Sequence, residues 1–235
     1  MSIPGAGSWS WALAASLLAA LVPACGGAAL AAEPITPPAM YPPNSWEGRS
    51  AAIVRVLDKL DAAIKAYMTT IEPEAMADVD YRRVSDILAF ATNMEYAGDV
   101  VDKNLLGLMA RKIKRGITFS KEGQAELLGM VDRLLVNLRT TATVFMTEDV
   151  RAARLLAAEK EVFRDIEAHA TIAHFERMRA GNTETAETST LHLDMLRDLA
   201  RVNTHLIAAA AYPVLEGKGE LLPSRIKGAE TGNGE

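Results

Sequence analysis

The chain has 235 residues, a formal net charge of −5 and an apolar fraction of 49%, enough for a core in one domain or two small ones. Lys and Arg form no large basic block, so nucleic acid is not expected as a partner, because binding it needs a clustered cationic surface. The single cysteine, Cys25, excludes an intramolecular disulfide and a cysteine-based zinc site.

Residues 1–32 carry no charge. Trp11 to Val22 is an apolar run broken only by Ser16, and small residues follow Pro23. Ala29-Leu30-Ala31 resembles a signal-peptidase site, although no Lys or Arg precedes the run. This leader reads either as a signal-like or anchoring segment or as low-complexity sequence. Residues 33–49 include five prolines and read as an extended linker. We expect that residues 1–46 do not pack as a bundle helix.

Beyond Ser50 the apolar residues recur at helical spacing. Ile53, Val54, Leu57, Leu60, Ile64 and Met68 predict a helix over 50–71. Val84, Ile87, Leu88, Met94, Val101, Leu105, Leu108 and Ile113 predict a long second helix over 78–114, closed by Gly116 after Lys112, Lys114 and Arg115. Ser120 suits the cap of a third helix, 120–146, and Asp149 the start of a fourth, 149–179, closed by Gly181-Asn182. The fifth runs over 186–211 and stops before Pro213. No segment alternates with period two, so the expected fold is all-α, an antiparallel bundle spanning 50–227. Residues 228–235 read as a loose tail.

Acidic residues recur at one-turn spacing. Glu95, Asp99 and Asp102 stand at i, i+4 and i+7 and so share a helix face. Carboxylates in such a row repel unless a cation neutralises them, and hard cations or iron accept oxygen ligands. Asp194 and Asp198 form a second i, i+4 pair, with His192 and His205 on the same helix. Glu161, Asp165 and His169 form a third series. For each, a solvated surface face is the competing reading. No Glu-x-x-His pair supports a ferritin-type centre, and the methionines at 94, 109, 130, 146, 178 and 195 read as gap fillers between helices. No glycine-rich phosphate loop, nucleophile motif or zinc signature is present, so we expect binding and regulation rather than catalysis.

Phe90-Ala91-Thr92-Asn93-Met94-Glu95-Tyr96-Ala97-Gly98-Asp99, continued by Val100-Val101-Asp102-Lys103-Asn104-Leu105, resembles the PhoU signature. Phe119 to Gly123, Glu187 to Asp198, Arg201 to His205 and Ala211 to Leu215 extend the resemblance toward the PhoU-like domain of bacterial Na/Pi cotransporters. That resemblance implies tandem three-helix bundles, here with the first helix missing or replaced. It implies a regulator of phosphate uptake and homeostasis at the cytoplasmic face of the inner membrane, with a membrane phosphate transporter as partner and a homodimer left open. It also implies a metal ion (Fe, Mg or Mn) on Glu95, Asp99 and Asp102, and a weaker site on Asp194 and Asp198. When the motif is set at Leu199 to His205, Ala200 and Thr204 replace the acidic pair. Only a shift of one turn brings Asp194 and Asp198 into place. The transporter's membrane spans are not in this chain. The alternatives are an exported or anchored helical metal-binding protein and a fragment of a longer transporter.

Overall fold

The computed structural model describes residues 46–70 and 78–220, and these are helical apart from short joints. In chain order they form α1 (Trp46–Met68), α2 (Asp78–Asp99), a π-helical segment (Val100–Leu106), α3 (Gly107–Arg115), α4 (Lys121–Thr147), α5 (Val150–Arg179), α6 (Thr183–Glu187) and α7 (Ser189–Gly217). No strand occurs among the described residues. The all-α bundle expected from periodicity is therefore the observed architecture. The leader, most of the proline-rich linker and the tail, with the expectation that residues 1–46 stay out of the bundle, lie outside the described residues.

Local chemistry sets the joints. Gly116 closes α3 at φ 65°, a left-handed conformation that costs a residue without Cβ little. Ser120 caps α4 by accepting from the Gly123 N–H at 3.2 Å. Asp149 caps α5 by accepting from Ala152 at 2.8 Å, and Asn182 caps α6 by accepting from Thr185 at 2.8 Å.

The last helix is the axle. α7 packs against α5, α2 and α4, and along its middle Arg197 and Arg201 mark the narrow strip that faces solvent. Leu196, Leu199, Val202 and Leu206 of α7 meet Leu127, Met130, Leu134 and Leu138 of α4, Phe163 of α5, and Met94 and Ala97 of α2 in the main core. A second cluster closes the far end, where Ile207, Ala210, Ala211 and Leu215 pack on Val144, Ala153 and Leu156. The alanines there let the backbones approach closely. Met94, Met130 and Met195 fill the core as expected, but Met146 is exposed.

Three boundaries differ from the periodic reading. α1 begins at Trp46, inside the stretch read as linker, because the last proline, Pro43, lies three residues upstream. The long second helix is interrupted from Val100 to Leu106 by π-type winding. Apolar spacing does not register the one extra residue that i→i+5 bonding accommodates. The last helix runs through Pro213 to Gly217 instead of ending before it. Proline removes the N–H that would return to the Ala209 carbonyl, at a cost of about 3 kcal/mol in a helix interior. The buried run from Leu206 to Leu215 offsets that cost.

Leu206→Ala should therefore lower unfolding free energy by about 2–5 kcal/mol, the range for a buried leucine losing its contacts. Leu155→Ala, at a position 65% exposed, should stay within about 0.5 kcal/mol. Urea melts of the two variants check the contrast.

Candidate functional site

The first acidic row lies on α2 and the π segment, and α1 packs against it. α1 brings two carboxylates that its own spacing did not single out. Asp58 and Asp61 face Glu95, and Asp58 also faces Asp102. Burial pushes the Glu95 carboxyl above its ordinary value, and the charges of Asp99, Asp61 and Asp58 push it the same way. Burial raises Asp102 too, followed by Asp99 and Asp58. Five carboxylates thus share one half-buried face, and two of them are reluctant to ionise.

Two lysines already neutralise part of this charge. Lys65 reaches Asp61 at 2.7 Å and Lys103 reaches Asp99 at 2.6 Å, both one helical turn on from their partners. Acid-before-base at i, i+4 is the favourable order for such pairs. That order is legible in the sequence and marks these pairings without any knowledge of the fold. The second oxygen of Asp61, Oδ1, is buried with no hydrogen-bond partner among the described residues.

The chemistry of the donor set, all oxygen, suits a hard cation. Its arrangement does not. Among the described residues no three carboxylate or imidazole groups converge to hold one ion, and Lys65 and Lys103 stand where a cation would neutralise the pairs. A metal enters this face only if a lysine leaves it.

The second acidic pair is divided between two environments. Asp194 is half-buried and takes Arg197 at 2.8 Å. Asp198 is 2% exposed, a buried carboxylate. It accepts from Arg201 at 3.0 Å and from the Asn104 amide at 3.2 Å. Asn104 belongs to the π segment, so this bond ties the irregular winding to the central helix. The third series is a surface face: Arg164 lies against both Glu161 and Asp165, and the His169 ring bonds the Asp165 carbonyl at 2.7 Å.

Two further polar centres join helices. Glu159 of α5 takes a bidentate Arg133 at 2.6 and 2.7 Å and the Asn137 amide at 3.0 Å, and Asn137 also donates to Asn203 at 2.9 Å. Burial opposes ionisation of Glu159, yet Arg133 and Asn137 hold its carboxyl below the ordinary range. At the other end of the bundle Glu126, Arg177, His174 and His192 form a buried cluster. His192 was visible in the sequence beside the acidic pair, but nothing in spacing pointed to Glu126 or Arg177 on other helices.

A groove of about 350 Å³ separates the start of α2 from the ends of α4 and α7. Its two consecutive arginines are occupied. Arg82 donates to the Gly217 carbonyl at 3.2 Å, and Arg83 to the Phe145 carbonyl at 3.3 Å and to Glu148 at 2.9 Å. Each arginine therefore satisfies a C-terminal carbonyl of a different helix. A Cβ at Gly217 would displace the Arg82 guanidinium from its present place.

Comparison with known proteins gives one consistent likeness. The chain is 35% identical over 157 residues to "Putative inorganic phosphate export protein YjbB" of Salmonella typhimurium, and 34% identical over 164 residues to proteins of that name in Escherichia coli K12 and Shigella flexneri. The matched region takes in 67% to 70% of this chain but only 29% to 30% of those proteins. No family model matches the chain, and no solved structure gives a significant match. The chain is thus related to proteins named for phosphate handling. Among its own described residues no helix is long and apolar enough to cross a membrane.

The two carboxylates of the acidic rows should behave oppositely on neutralisation. Asp198→Ala leaves Asn104 and Arg201 without their buried acceptor and should cost about 2–4 kcal/mol. Asp99→Asn loses a partly exposed ion pair but relieves repulsion at Glu95 and Asp102, and should change stability by less than about 0.5 kcal/mol. Chemical denaturation at low salt distinguishes them.

Proposed function

We propose that this chain is a PhoU-like regulatory module of phosphate transport, which acts by contact with a membrane phosphate transporter. The observation that carries the reading is the likeness over more than two thirds of the chain to proteins named for inorganic phosphate export, confined to under a third of their length. The matched part here is a helical bundle with no membrane-crossing helix among its described residues. A bundle of this kind influences transport by binding one transporter state better than another, since a regulator shifts an equilibrium only by its differential affinity. The half-buried acidic face between α1 and α2 offers charge for such contact, and the reading assigns the chain no catalytic step. It places the chain at the cytoplasmic face of the membrane, where such a transporter presents its regulatory surface.

Metal is a secondary element of the proposal. A divalent or ferric cation on Glu95, Asp99 and Asp102 has to displace Lys103 from Asp99.

The direct test is phosphate release from cells that carry a membrane phosphate exporter of the related kind, with and without this chain supplied in trans. Addition of the chain should change the initial release rate at least about twofold, a differential affinity of a few tenths of a kcal/mol being sufficient. An unchanged rate at matched expression rejects the regulatory reading.

A further inference from the structure

The end of the bundle opposite Pro213 is held by an unusual contact. His174 of α5 and His192 of α7 stack face to face, with centroids 4.9 Å apart and planes 9° apart. They are 1% and 2% exposed. His174 Nε2 meets the Ser189 hydroxyl at 2.9 Å, at the first residue of α7. His192 Nε2 faces two acceptors, the Gly123 carbonyl and Glu126 Oε2, each at 3.2 Å, so this nitrogen carries the proton. His192 Nδ1 is then a bare acceptor, buried and without a partner. Glu126 is also held by Arg177 through two bonds of 2.7 and 2.8 Å.

We propose that His174 is a proton-sensitive clasp: as a neutral ring it holds α6 and the start of α7 against α4 and α5, and on protonation it releases them.

The charge inventory around the ring explains why. α5 itself contributes Arg177, and α7 contributes His192 and the neutral Ser189. α4 contributes Glu126, with Glu122 beyond it facing Arg177. The α3–α4 joint contributes Phe119, edge-on to His192, with Lys112 of α3 over its other side. Among the described residues the carboxylate beside the pair is Glu126, and both its oxygens are already engaged by Arg177. A proton on His174 places a cation against a neutral ring and near a guanidinium, with no free anion to receive it. Burial first, and Arg177 second, hold His174 below the ordinary histidine value, with Glu126 opposing.

The sign follows from linkage. The unfolded chain binds this proton near pH 6.5, and the folded chain only at lower pH. The clasp therefore contributes stability in full above about pH 6.5, and loses it as pH falls through the folded value. His192 and His205 are held low too, with burial the main cause. What is particular to the clasp is location. Ile207, Ala210 and Leu215 at the far end pack on Val144 and Leu156 with no histidine among them.

Hydrogen-exchange mass spectrometry on the full chain tests this, read as protection factors at pH 7.5 and 5.0. Protection over 183–195 should fall about tenfold or more in acid, while 207–215 changes far less. His174→Phe keeps a ring in the stack and removes one of its two titrating rings, His192 being the other, so it should clearly reduce the pH response of 183–195. A uniform loss along α7, no loss, or an unchanged response in His174→Phe overturns the proposal. Should His174→Phe fail to fold, imidazole NMR of the unaltered chain decides. His174 titrating below the ordinary value, with the 183–195 amides shifting in the same step, supports the clasp. Titration at the ordinary value, or without those amides, refutes it.

Discussion

Every other feature depends on one constraint: α7 is surrounded by neighbours, so each polar side chain it carries inward must find a partner on a particular helix. His192 faces Gly123 and Glu126 of α4. Asp198 faces Asn104 of the π segment. Asn203 accepts from Asn137 of α4 and donates to the Glu159 carbonyl of α5 at 3.2 Å. His205 meets Asn93 of α2 at 3.3 Å. An apolar helix could slide or rotate among its neighbours at modest cost. Here a slip of one turn would strand three buried polar groups and the partly buried His205, at about 1–3 kcal/mol for each buried group. The leucines supply cohesion, and these four contacts fix the register.

The same constraint accounts for the irregular winding of the second long helix. Glycines Gly98 and Gly107 lie on either side of the π segment, and as poor helix formers they hold the regular winding least strongly there. Within it, Asn104 reaches Asp198 while Leu105 and Leu106 remain buried. Satisfying a buried carboxylate on the axle and keeping an apolar face inward asks more of seven residues than α-helical spacing provides.

Helix existence was legible in the sequence because burial imposes a 3.6-residue period on leucines and valines, and caps such as Ser120 and Asp149 use side chains within three residues of their targets; Asn182, read as part of a helix end, instead caps the short α6. What depended on contacts between helices was not legible. The π winding, the continuation through Pro213, the facing of Asp58 and Asp61 toward Glu95, and the Glu126–Arg177–His192 cluster join residues far apart in the chain, Glu126 and Arg177 by 51 positions, or displace a helix by a single residue. Of the acidic rows, spacing correctly marked Glu95 and Asp99 as neighbours on α2. It did not separate Asp198, a buried structural acceptor, from Asp194, a surface partner of Arg197. The lysines that temper the first row were visible as i, i+4 pairs and weaken the case for a bound cation that the carboxylates alone would make.

These pieces describe a rigid bundle whose inward polar groups are nearly all spent on its own register. The half-buried acidic face between α1 and α2 is one charged surface it offers a partner. The proposed contact with a membrane phosphate transporter is measured most directly as equilibrium binding of the purified full chain to membrane vesicles with and without a phosphate exporter of the related kind. Binding should be saturable, need the exporter, weaken with salt as a charged face requires, and differ between phosphate-loaded and phosphate-free vesicles. Binding equal in vesicles with and without the exporter, or none at micromolar chain, would contradict that contact.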